Sequence, residues 1–528
     1  MSYKITCPYC FGTMMDDEVF FRSERVSQGE CDILPEGFDD LDDFKARYRG
    51  SNKEAILEQL REWEFFRETE DPEYRRFWQP FGGTTEDNPA DRKLGILAQR
   101  RRILDPRNEQ HQRYLKKQPN GSYFIRDEDG NAAQIELREG GSSARCSRRV
   151  CRHCRNPLPD DYGRNPVKFA AVIGITGAGK TVYLSQLLTE IQDYALRVGL
   201  TAQATRASVR TFRERNAVVA KQALPGSTPT GRLQQPLFFD LTHRALGHSK
   251  VTETFVLYDV AGEVFQDEEG DLVKRFAPFI EHADGLIVLI DPMQFKVISG
   301  LNPDSEALDA PTQALTAVHH IISKDSSRLC STPIAVCLSK ADQREVQSVL
   351  PEGLPPLLLD DVHKILGSDG YPRPLFNAGE YNPIAQKLNT FFQSNAAALA
   401  QLMRDNYSNY NYFAFTALGC DVAEGQLENG EPYRYPVGPV LPKRIEEPLL
   451  WLFYQLGYIG LPQGQELFSP AVKVVYCPEC GSDQTYDLPE EERYATVKKL
   501  FRTRTVYRDR CCAACGHRWD SSGKGGDA

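Results

Sequence analysis

Short apolar runs alternate with helix-period segments through the middle of the chain. Five of these runs have the length of buried strands: Phe169 to Ile173, Leu237 to Leu241, Thr254 to Tyr258, Leu286 to Ile290 and Ile334 to Leu338. After the first run, apolar residues recur at a helical period and predict one buried face: Leu184, Leu187, Leu188, Ile191 and Ala195. Strands and helices that alternate in this way are typical of a parallel sheet covered on both faces. The predicted fold is therefore α/β, with a doubly wound sheet.

The pattern continues less regularly to residue 465. It predicts a proline-rich loop at Leu354 to Leu359, a helix around Ile384 to Met403 and a last strand at Tyr412 to Phe415. Pro448 can begin a final helix, because the first turn of a helix does not need its N–H. Four apolar residues of that helix would face the core: Leu449, Leu452, Phe453 and Leu456.

The first 165 residues are charged and rich in aromatic side chains. Lys53 to Phe66 has helical spacing. The turn dipeptides Asn120-Gly121 and Asp129-Gly130 flank a strand-like Tyr123 to Ile125, and Ile135 to Leu137 follows. This succession predicts a β-meander.

A chain of 528 residues is too long for one hydrophobic core. We predict a Cys-rich module with a long α+β insertion at 1–165, the α/β domain at 166–465, a second Cys-rich module at 470–520 and a disordered tail at 521–528. The net charge of −10 argues against a general affinity for nucleic acid or anionic membrane. Because we find neither a membrane-spanning apolar run nor a signal peptide, we expect a cytoplasmic protein.

A phosphate-binding loop follows the first strand. Gly174 to Thr181 reads Gly-Ile-Thr-Gly-Ala-Gly-Lys-Thr and fits the pattern G-x-x-x-x-G-K-T between a strand and a helix. In such a loop successive N–H groups point at phosphate oxygens, Lys180 reaches the β and γ phosphates, and the Thr181 hydroxyl ligates Mg²⁺. The predicted contacts are Gly174, Thr176, Gly177, Ala178, Gly179, Lys180, Thr181 and Val182.

Two motifs at later strand ends complete a nucleotide site. Asp259-Val-Ala-Gly262 offers a carboxylate for the Mg²⁺ shell and a glycine N–H for the γ-phosphate. In Ser339-Lys340-Ala341-Asp342, the carboxylate of Asp342 can accept two hydrogen bonds from guanine, whereas adenine lacks both donors. The Lys340 stem can pack on the base.

A weaker signal follows the last strand, where Thr416-Ala417-Leu418 places a backbone N–H at Ala417 for the guanine oxygen. We therefore assign the base-binding residues as Ser339, Lys340, Asp342, Ala417 and Leu418.

In this order the motifs resemble the Ras-like (TRAFAC) P-loop GTPases over about Val167 to Leu456. More narrowly, the chain resembles the bacterial double-GTPase families in its Cys-Pro-Tyr-Cys, Asp-Val-Ala-Gly-Glu and Glu-Glu-Pro-Leu-Leu-Trp-Leu segments. The resemblance implies a switch that binds GTP and hydrolyses it to GDP with Mg²⁺, and a protein partner, either a second GTPase or another copy. It also implies a role in a bacterial conflict or defence system.

The resemblance extends to the switch and catalytic residues, with two departures. A switch threonine should precede the second strand and ligate Mg²⁺, and we favour Thr228 over Thr230. Ras-like enzymes usually carry Asn or Thr where this chain has Ser339, and Gln where it has Glu263. An ionised Glu can only accept hydrogen bonds and would repel the γ-phosphate, so hydrolysis should be slow without help. The implied catalytic residues are Lys180, Thr181, Thr228, Gly262 and Glu263.

Four Cys-x-x-Cys pairs lie outside the central domain. Paired thiolates at this spacing are typical of structural zinc, with four sulfurs leaving no open position for catalysis. We predict one site at Cys477, Cys480, Cys512 and Cys515, and a second at Cys7, Cys10, Cys151 and Cys154. Cys146 and His153 compete as ligands at the second site, and Gly516 should permit a turn at the first.

A basic and aromatic segment precedes the last Cys pair: Lys498, Lys499, Phe501, Arg502, Arg504, Tyr507, Arg508 and Arg510. Such strands can bind nucleic acid, although a solvated strand face is the interpretation we favour. Two alternatives to a GTPase switch therefore stay open, a ribbon protein that binds nucleic acid under GTP control and a nucleotide-binding scaffold without turnover.

Overall fold

The computed structural model describes residues 4–27, 34–38, 41–83, 101–128, 130–138, 145–159, 162–174, 177–205, 208, 223–224, 233, 236–244, 250–260, 262–266, 271–295, 298, 310–323, 329–426, 432–471, 477–480, 485–499 and 502–520. The chain divides into two compact units, Met1–Phe468 and Ser469–Ala528, and each is described by itself. The tail at 521–528 lies outside the described residues.

Small sheets and short helices form the N-terminal part. Its strands are β1 (Lys4–Thr6), β2 (Thr13–Met15), β3 (Phe20–Arg22), β4 (Ile103–Leu104), β5 (Phe124–Arg126), β6 (Ala132–Glu136), β7 (Arg145–Cys146) and β8 (Arg149–Val150). Its helices are α1 (Leu41–Arg47), α2 (Lys53–Phe65), α3 (Pro72–Trp78) and α4 (Glu109–Gln112). The predicted helix is confirmed as α2, and the predicted meander is confirmed as the antiparallel sheet β5-β6-β7.

A seven-stranded sheet forms the centre of the larger unit, in the order β10-β11-β12-β9-β13-β14-β15. The strands are β9 (Val167–Gly174), β10 (Thr201–Ala204), β11 (Leu237–Arg244), β12 (Lys250–Val260), β13 (Gly285–Ile290), β14 (Ile334–Leu338) and β15 (Tyr410–Ala414). The accompanying helices are α5 (Lys180–Arg197), α6 (Asp271–Phe276), α7 (Ala310–Ile322), α8 (Arg344–Gln347), α9 (Leu354–Leu358), α10 (Ala378–Asn395), α11 (Ala397–Asn406) and α12 (Glu447–Gln455). A two-stranded hairpin, β16 (Asp421–Gln426) and β17 (Pro432–Val437), follows β15.

The predicted α/β fold with a large parallel sheet is confirmed, with one departure at the second predicted strand. Neighbouring strands from β12 to β15 are parallel, whereas β11 pairs antiparallel with β12. The physical reason is the short connection, because a parallel crossover needs a dozen or more residues and only five positions separate Arg244 from Lys250.

One face of the sheet and three helices share a continuous core. The five apolar residues predicted on α5 are all buried there, and Leu449, Leu452 and Phe453 of α12 join them. Leu456 is only partly buried against this core. Truncating a buried leucine of this kind costs roughly 2–5 kcal/mol of stability.

Two predictions between residues 351 and 406 are wrong. The expected loop at Leu354 to Leu359 is the short helix α9, whose prolines stand in the first turn, where the missing N–H costs nothing. The expected single helix is two helices, because the chain leaves helical geometry at Ala396, with φ −143° and ψ 52°.

The N-terminal part packs directly on the strand that carries Asp259. The hydroxyl of Tyr258 donates to the Pro8 carbonyl at 2.8 Å. The ring of Phe11 lies 5.9 Å from that of Tyr258 and stacks on His282 at 4.6 Å. The turn that contains Cys7 and Cys10 therefore packs against the α/β domain.

The smaller unit is a set of short antiparallel strands. They are β18 (Thr485–Asp487), β19 (Tyr494–Lys499), β20 (Arg502–Tyr507), β21 (Arg510–Cys512) and β22 (Arg518–Trp519). These form one sheet in the order β18-β21-β22 and a separate hairpin, β19-β20. Across the described part of the whole chain, no helix combines the length and apolarity needed to span a bilayer.

Candidate functional site

The phosphate-binding loop lies between β9 and α5, as predicted. Gly177 and Gly179 have φ of +85° and +74°, the left-handed region that favours glycine. A Cβ on Gly174 would stand 2.5 Å from the Cβ of Lys180, so the strand must end in glycine for the helix to begin where it does. Ala178 is buried, and Thr176 lies outside the described residues.

Lys180 and Asp259 form a buried ion pair at the carboxyl edge of the sheet. The ammonium of Lys180 donates to Oδ1 of Asp259, and both side chains are buried. The pair forms because β12 lies beside β9, with Asp259 opposite Val172. Thr181 and the half-buried Val182 follow in the first turn of α5. Lys180, the predicted phosphate ligand, and Asp259, the predicted Mg²⁺ ligand, are therefore in direct contact.

The segment after β12 is a 3₁₀ turn, Gly262–Gln266, followed by α6. Gly262 is buried at the start of this turn. The side chain of Glu263 lies outside the described residues, and so do Thr228 and Thr230. Their predicted roles therefore stay predictions.

The base motif is held by hydrogen bonds between neighbouring strand ends. The hydroxyl of Ser339 donates to the Ile290 carbonyl at 3.0 Å, so this side chain ties β14 to β13. Thr416 Oγ1 donates to Asp342 Oδ1 at 2.9 Å. Thr416 is itself paired through its backbone with Lys443, at 3.0 and 2.8 Å. The carboxylate of Asp342 is thus oriented by a rigid neighbour.

Ala417 and Leu418 directly follow Thr416, in the loop after β15. The N–H of Leu441 donates to the Leu418 carbonyl at 2.6 Å, so a later segment supports this loop from behind. Ala417 packs partly buried against the main core. The structure therefore brings the Ser339–Asp342 motif and the Thr416–Leu418 loop together at the edge where the phosphate loop lies.

Asp291 belongs to this site and was missed from the sequence. Its Oδ2 accepts from the ammonium of Lys340 at 2.8 Å, and Oδ1 accepts from the Met293 N–H at 3.0 Å. A Cβ on Gly177 would stand 2.9 Å from Asp291 Oδ2, so this carboxylate also borders the phosphate loop. Lys340 has a left-handed φ of +54°. The available signal was an Asp immediately after a buried strand, at the edge where parallel strands place their functional residues.

The N-terminal cysteines form one cluster. The sulfurs of Cys7, Cys10, Cys151 and Cys154 all lie within 4.8 Å of one another. Cys7 and Cys154 are 3.7 Å apart, as are Cys10 and Cys151. A tetrahedral site with Zn–S bonds of about 2.3 Å has edges of about 3.8 Å, so the arrangement fits zinc. Cys146 and His153, the predicted competitors, are not members.

Turn geometry explains how these cysteines converge. The Cys7 N–H donates to the Gly12 carbonyl at 3.0 Å, and Cys151 repeats this bond to Asn156 at 2.9 Å. Further donors face the sulfurs: the His153 N–H lies 3.3 Å from Cys151 Sγ, and the Asn156 amide lies 3.2 Å from Cys154 Sγ. Donors of this kind stabilise thiolates and orient them toward a metal.

The smaller unit contains the second cluster. Cys477 and Cys515 are 3.6 Å apart, as are Cys480 and Cys512, and the four sulfurs again lie within 4.8 Å. The predicted turn at Gly516 is confirmed by its φ of +74°. Within the described residues these two sets are the only clusters of metal-binding character.

The basic segment of the smaller unit is partly neutralised. Arg510 of the segment pairs with Asp487 at 2.9 Å, and Arg518, which lies outside the segment, pairs with Glu492 at 2.8 Å. The side chains of Lys498, Lys499, Arg502 and Arg504, and all of Phe501, lie outside the described residues. Arg508 is half-buried beside the exposed Tyr507. Of the six basic side chains of the segment, the structure describes those of Arg508 and Arg510, so the nucleic-acid alternative stays a prediction.

The sheet order, the phosphate loop and the base motif define a TRAFAC-like P-loop GTPase fold. Residues 168–377 match the model of the family described as DO-GTPase2, Double-GTPase 2. This stretch of the chain is therefore similar to double-GTPase domains, which confirms the resemblance found in the motifs.

One curated relative is the "Putative ESX-1 scaffolding and assembly protein SaeC" of Mycolicibacterium smegmatis. It is 29% identical over 206 residues, which cover 37% of this chain and 51% of that protein. The chain therefore spans about half the length of the relative that it matches.

Solved structures of GTPases are similar at low scores. The S. cerevisiae Ski7 GTPase-like domain bound to GTP shares 10% identity at a TM-score of 0.23, over 65% of this chain and 59% of that one. SelB from Methanococcus maripaludis with a GTP analogue shares 13% at 0.18, over 48% and 30%. The G domain of T. maritima FeoB shares 15% at 0.16, over 34% and 76%. These scores are too low to carry an argument, so the fold assignment rests on the sheet order and the motifs of the site.

Proposed function

We propose that this chain is a GTP-binding switch that hydrolyses GTP slowly on its own. The observation that carries the proposal is the placement of two carboxylates at one sheet edge. Asp342 is oriented by Thr416, and Asp259 is paired with Lys180. The Asp342 carboxylate suits a base with two adjacent N–H donors, and the Asp259 carboxylate suits a Mg²⁺-bound phosphate chain.

Different residues of the chain would bind the nucleotide phosphates and the Mg²⁺ ion. Nucleotide phosphates would replace Asp259 as the partner of Lys180, so that this carboxylate could contribute to the metal shell. The Thr181 hydroxyl and, in the active conformation, that of Thr228 would complete the shell. The N–H of Gly262 would donate to the γ-phosphate and so couple its presence to the 3₁₀ turn and α6. When bound, Mg²⁺ neutralises phosphate charge.

Slow hydrolysis follows from Glu263, whose negative charge opposes the γ-phosphate. A partner that supplies a cation would accelerate the reaction, and a partner's arginine can add about 10⁵-fold in Ras-like enzymes. The relative's printed description as a scaffolding and assembly protein supports a protein partner for this chain. A place in a bacterial conflict or defence system remains a prediction from the family resemblance.

We assign zinc to both cysteine clusters. The sulfur separations of 3.6–3.7 Å support it. Four cysteines leave no open coordination position, so the metal would be structural. The N-terminal site would stabilise the turn that packs under Tyr258.

The experiment that tests the function is identification of the nucleotide retained by purified protein. Acid release and chromatography should yield GDP or GTP in nearly stoichiometric amount, and Lys180→Ala should abolish retention. Recovery of ADP or ATP instead would refute the proposed base selectivity.

A further inference from the structure

A polar cleft in the N-terminal part takes no part in the nucleotide site. It is lined by three arginines, a histidine and two carboxylates, with Phe20 and Thr69 beside them: Arg101, Arg102, Arg155, His111, Glu70 and Asp71. We call it the arginine cleft. It offers about 170 Å³ of solvent-accessible space, whereas one water needs about 10–15 Å³ on the same measure. The cleft therefore has room for a ligand of several atoms.

Two of the guanidinium groups are held in place, and each has a buried Nε atom without a hydrogen bond within the described residues. Arg102 lies over the Phe65 ring at 4.3 Å, and Arg155 lies over the Phe20 ring at 4.3 Å. Nη1 of Arg155 donates to the Arg152 carbonyl. The nearest carboxylate oxygen to Arg155, Oδ2 of Asp71, is 3.8 Å away, which is too far for a hydrogen bond. Stacked and preorganised guanidinium groups of this kind suit oxyanions.

The remaining polar groups define what else the ligand must offer. His111 Nδ1 accepts from the Asp105 N–H at 2.9 Å, so the ring proton is on Nε2. Burial, and then the charge of Arg102, lower the pKa of His111 and keep the ring neutral. Glu70 Oε1 is buried and makes no hydrogen bond within the described residues. The cleft is therefore lined both by a hydrogen-bond acceptor without a partner, Glu70 Oε1, and by two donors without a partner, the Nε atoms of Arg102 and Arg155.

We propose that the arginine cleft binds a small oxyanion that also carries one hydrogen-bond donor. Hydrogen phosphate and a hydroxycarboxylate share this chemistry. The anion accepts from Arg102 and Arg155, and its hydroxyl donates to Glu70. The net charge of the lining side chains, three arginines against two carboxylates, favours an anion.

The cleft is connected to the nucleotide site by α3. Asp71 caps this helix at the cleft, accepting from the N–H groups of Glu73 and Tyr74 at 3.0 Å each. At the other end, a 3₁₀ turn follows, in which the Pro80 carbonyl accepts from Arg275 and the Phe81 ring packs on Phe276 at 5.8 Å. Arg275 and Phe276 belong to α6, which follows the Gly262–Gln266 turn of the proposed γ-phosphate contact. Occupation of the cleft should therefore alter nucleotide exchange, and this step rests on the proposed GTPase function.

Binding is tested by calorimetric titration of the full chain saturated with GDP and Mg²⁺. Hydrogen phosphate and malate are the two probes, and sulfate and succinate are matched anions without the donor hydroxyl. We expect at least one donor-bearing probe to bind more tightly than its match. Arg102→Gln should weaken that binding roughly tenfold to a hundredfold, whereas the exposed Arg113→Gln should not.

Equal binding of each matched pair would overturn the donor requirement. Binding that survives Arg102→Gln, or that appears only when GDP is left out, would place the anion outside the arginine cleft and overturn the site. Unfolding temperature and metal content of Arg102→Gln, measured without ligand, separate loss of binding from loss of fold.

Coupling is tested by the rate of GDP release with and without the tighter probe. We expect the probe to change the rate at least threefold in the unmodified chain, and Phe81→Ala to remove that change while leaving probe binding intact. An unchanged release rate with the cleft occupied would overturn the coupling. Probe binding is measured without any GTP hydrolysis. A failure of the GTPase proposal can therefore be told apart from a failure of the proposed anion site.

Discussion

Thr416 donates its hydroxyl hydrogen to Oδ1 of Asp342 across 2.9 Å, although 74 positions separate the two residues. Thr416 is fixed in turn by its backbone pairing with Lys443, and the Ala341 N–H donates to the Phe415 carbonyl at 3.1 Å. The carboxylate therefore does not need to be ordered when a base binds. An interaction that is already oriented loses less entropy on binding, which favours affinity and selectivity.

Asp291 should contribute to nucleotide affinity through Lys340. Asp291→Asn keeps the shape of the side chain and removes the charge that holds the Lys340 ammonium at 2.8 Å. We expect GDP to bind about fivefold more weakly, on the order of 1 kcal/mol for a partly exposed pair. Equilibrium titration with a fluorescent GDP analogue measures this.

The control for Asp291→Asn lies at the other end of β13. Asp284 precedes β13 and pairs with Lys168 at 2.9 Å, at the opposite end of the sheet. Asp284→Asn should leave GDP affinity unchanged. Equal losses in both variants would mean that Asp291 acts through general stability alone.

Metal analysis should find about two zinc ions per chain. Cys7→Ser and Cys477→Ser should each lower the content to about one, whereas Cys146→Ser should leave it at two because Cys146 lies outside the cluster. Asn156→Ala removes the amide that faces Cys154 Sγ at 3.2 Å. It should weaken the N-terminal site by roughly 10–100-fold in chelator competition. A zinc content near one in the unmodified chain would contradict the N-terminal site.

Glu447 should make the stability of the larger unit depend on pH. Burial raises the pKa of Glu447 to about 7 despite the attraction of Arg444, 2.7 Å away. Because the folded-state pKa lies above the unfolded value, stability falls as pH rises from about 4.5 to 7. Glu447→Gln cannot ionise, so between pH 5 and 8 it should lose less stability than the unmodified chain, by on the order of 2–3 kcal/mol.

Urea unfolding at several pH values measures the Glu447 effect. The exposed Glu466→Gln serves as the control and should follow the unmodified chain at every pH. Parallel stability curves for Glu447→Gln and the unmodified chain would show that Glu447 is not the titrating group.

Sequence patterns predicted those parts of the site that depend on local chain geometry. The phosphate loop needs glycine where φ is positive and where Lys180 leaves no space for a Cβ, so its residues are visible in the sequence. Cys-x-x-Cys pairs likewise mark tight turns. Six of the seven strands of the large sheet were found from their apolar runs, whereas β10 was not. The antiparallel direction of β11 could have been read from the short connection to β12.

Long-range contacts could not be predicted in the same way. Nothing in the local sequence shows that Asp291 reaches Lys340, because the pairing depends on the register between β13 and β14. The packing of Phe11 and Pro8 against Tyr258 likewise joins segments about 250 positions apart. The role of Ser339 in bonding the Ile290 carbonyl also required the neighbouring strand.

Glu263 should limit the basal rate of hydrolysis. Glu263→Gln removes a negative charge near the γ-phosphate and restores a hydrogen-bond donor, so single-turnover hydrolysis should speed up several-fold while GTP affinity stays the same. The starting rate should be roughly 10⁻⁴ per second, as for unaided Ras-like enzymes. Loss of turnover in Glu263→Gln would instead make Glu263 a base or an anchor for the attacking water.

The most direct test of GTP recognition is the base preference of the unmodified chain and of Asp342→Asn, measured by equilibrium competition among GTP, ATP and xanthosine triphosphate. Asp342 accepts two donors that guanine has and adenine lacks, whereas an amide donor suits the 2-oxo group of xanthine. The unmodified chain should bind GTP at least tenfold more tightly than ATP, and Asp342→Asn should prefer xanthosine triphosphate to GTP. Tighter binding of ATP than GTP by the unmodified chain would contradict the account.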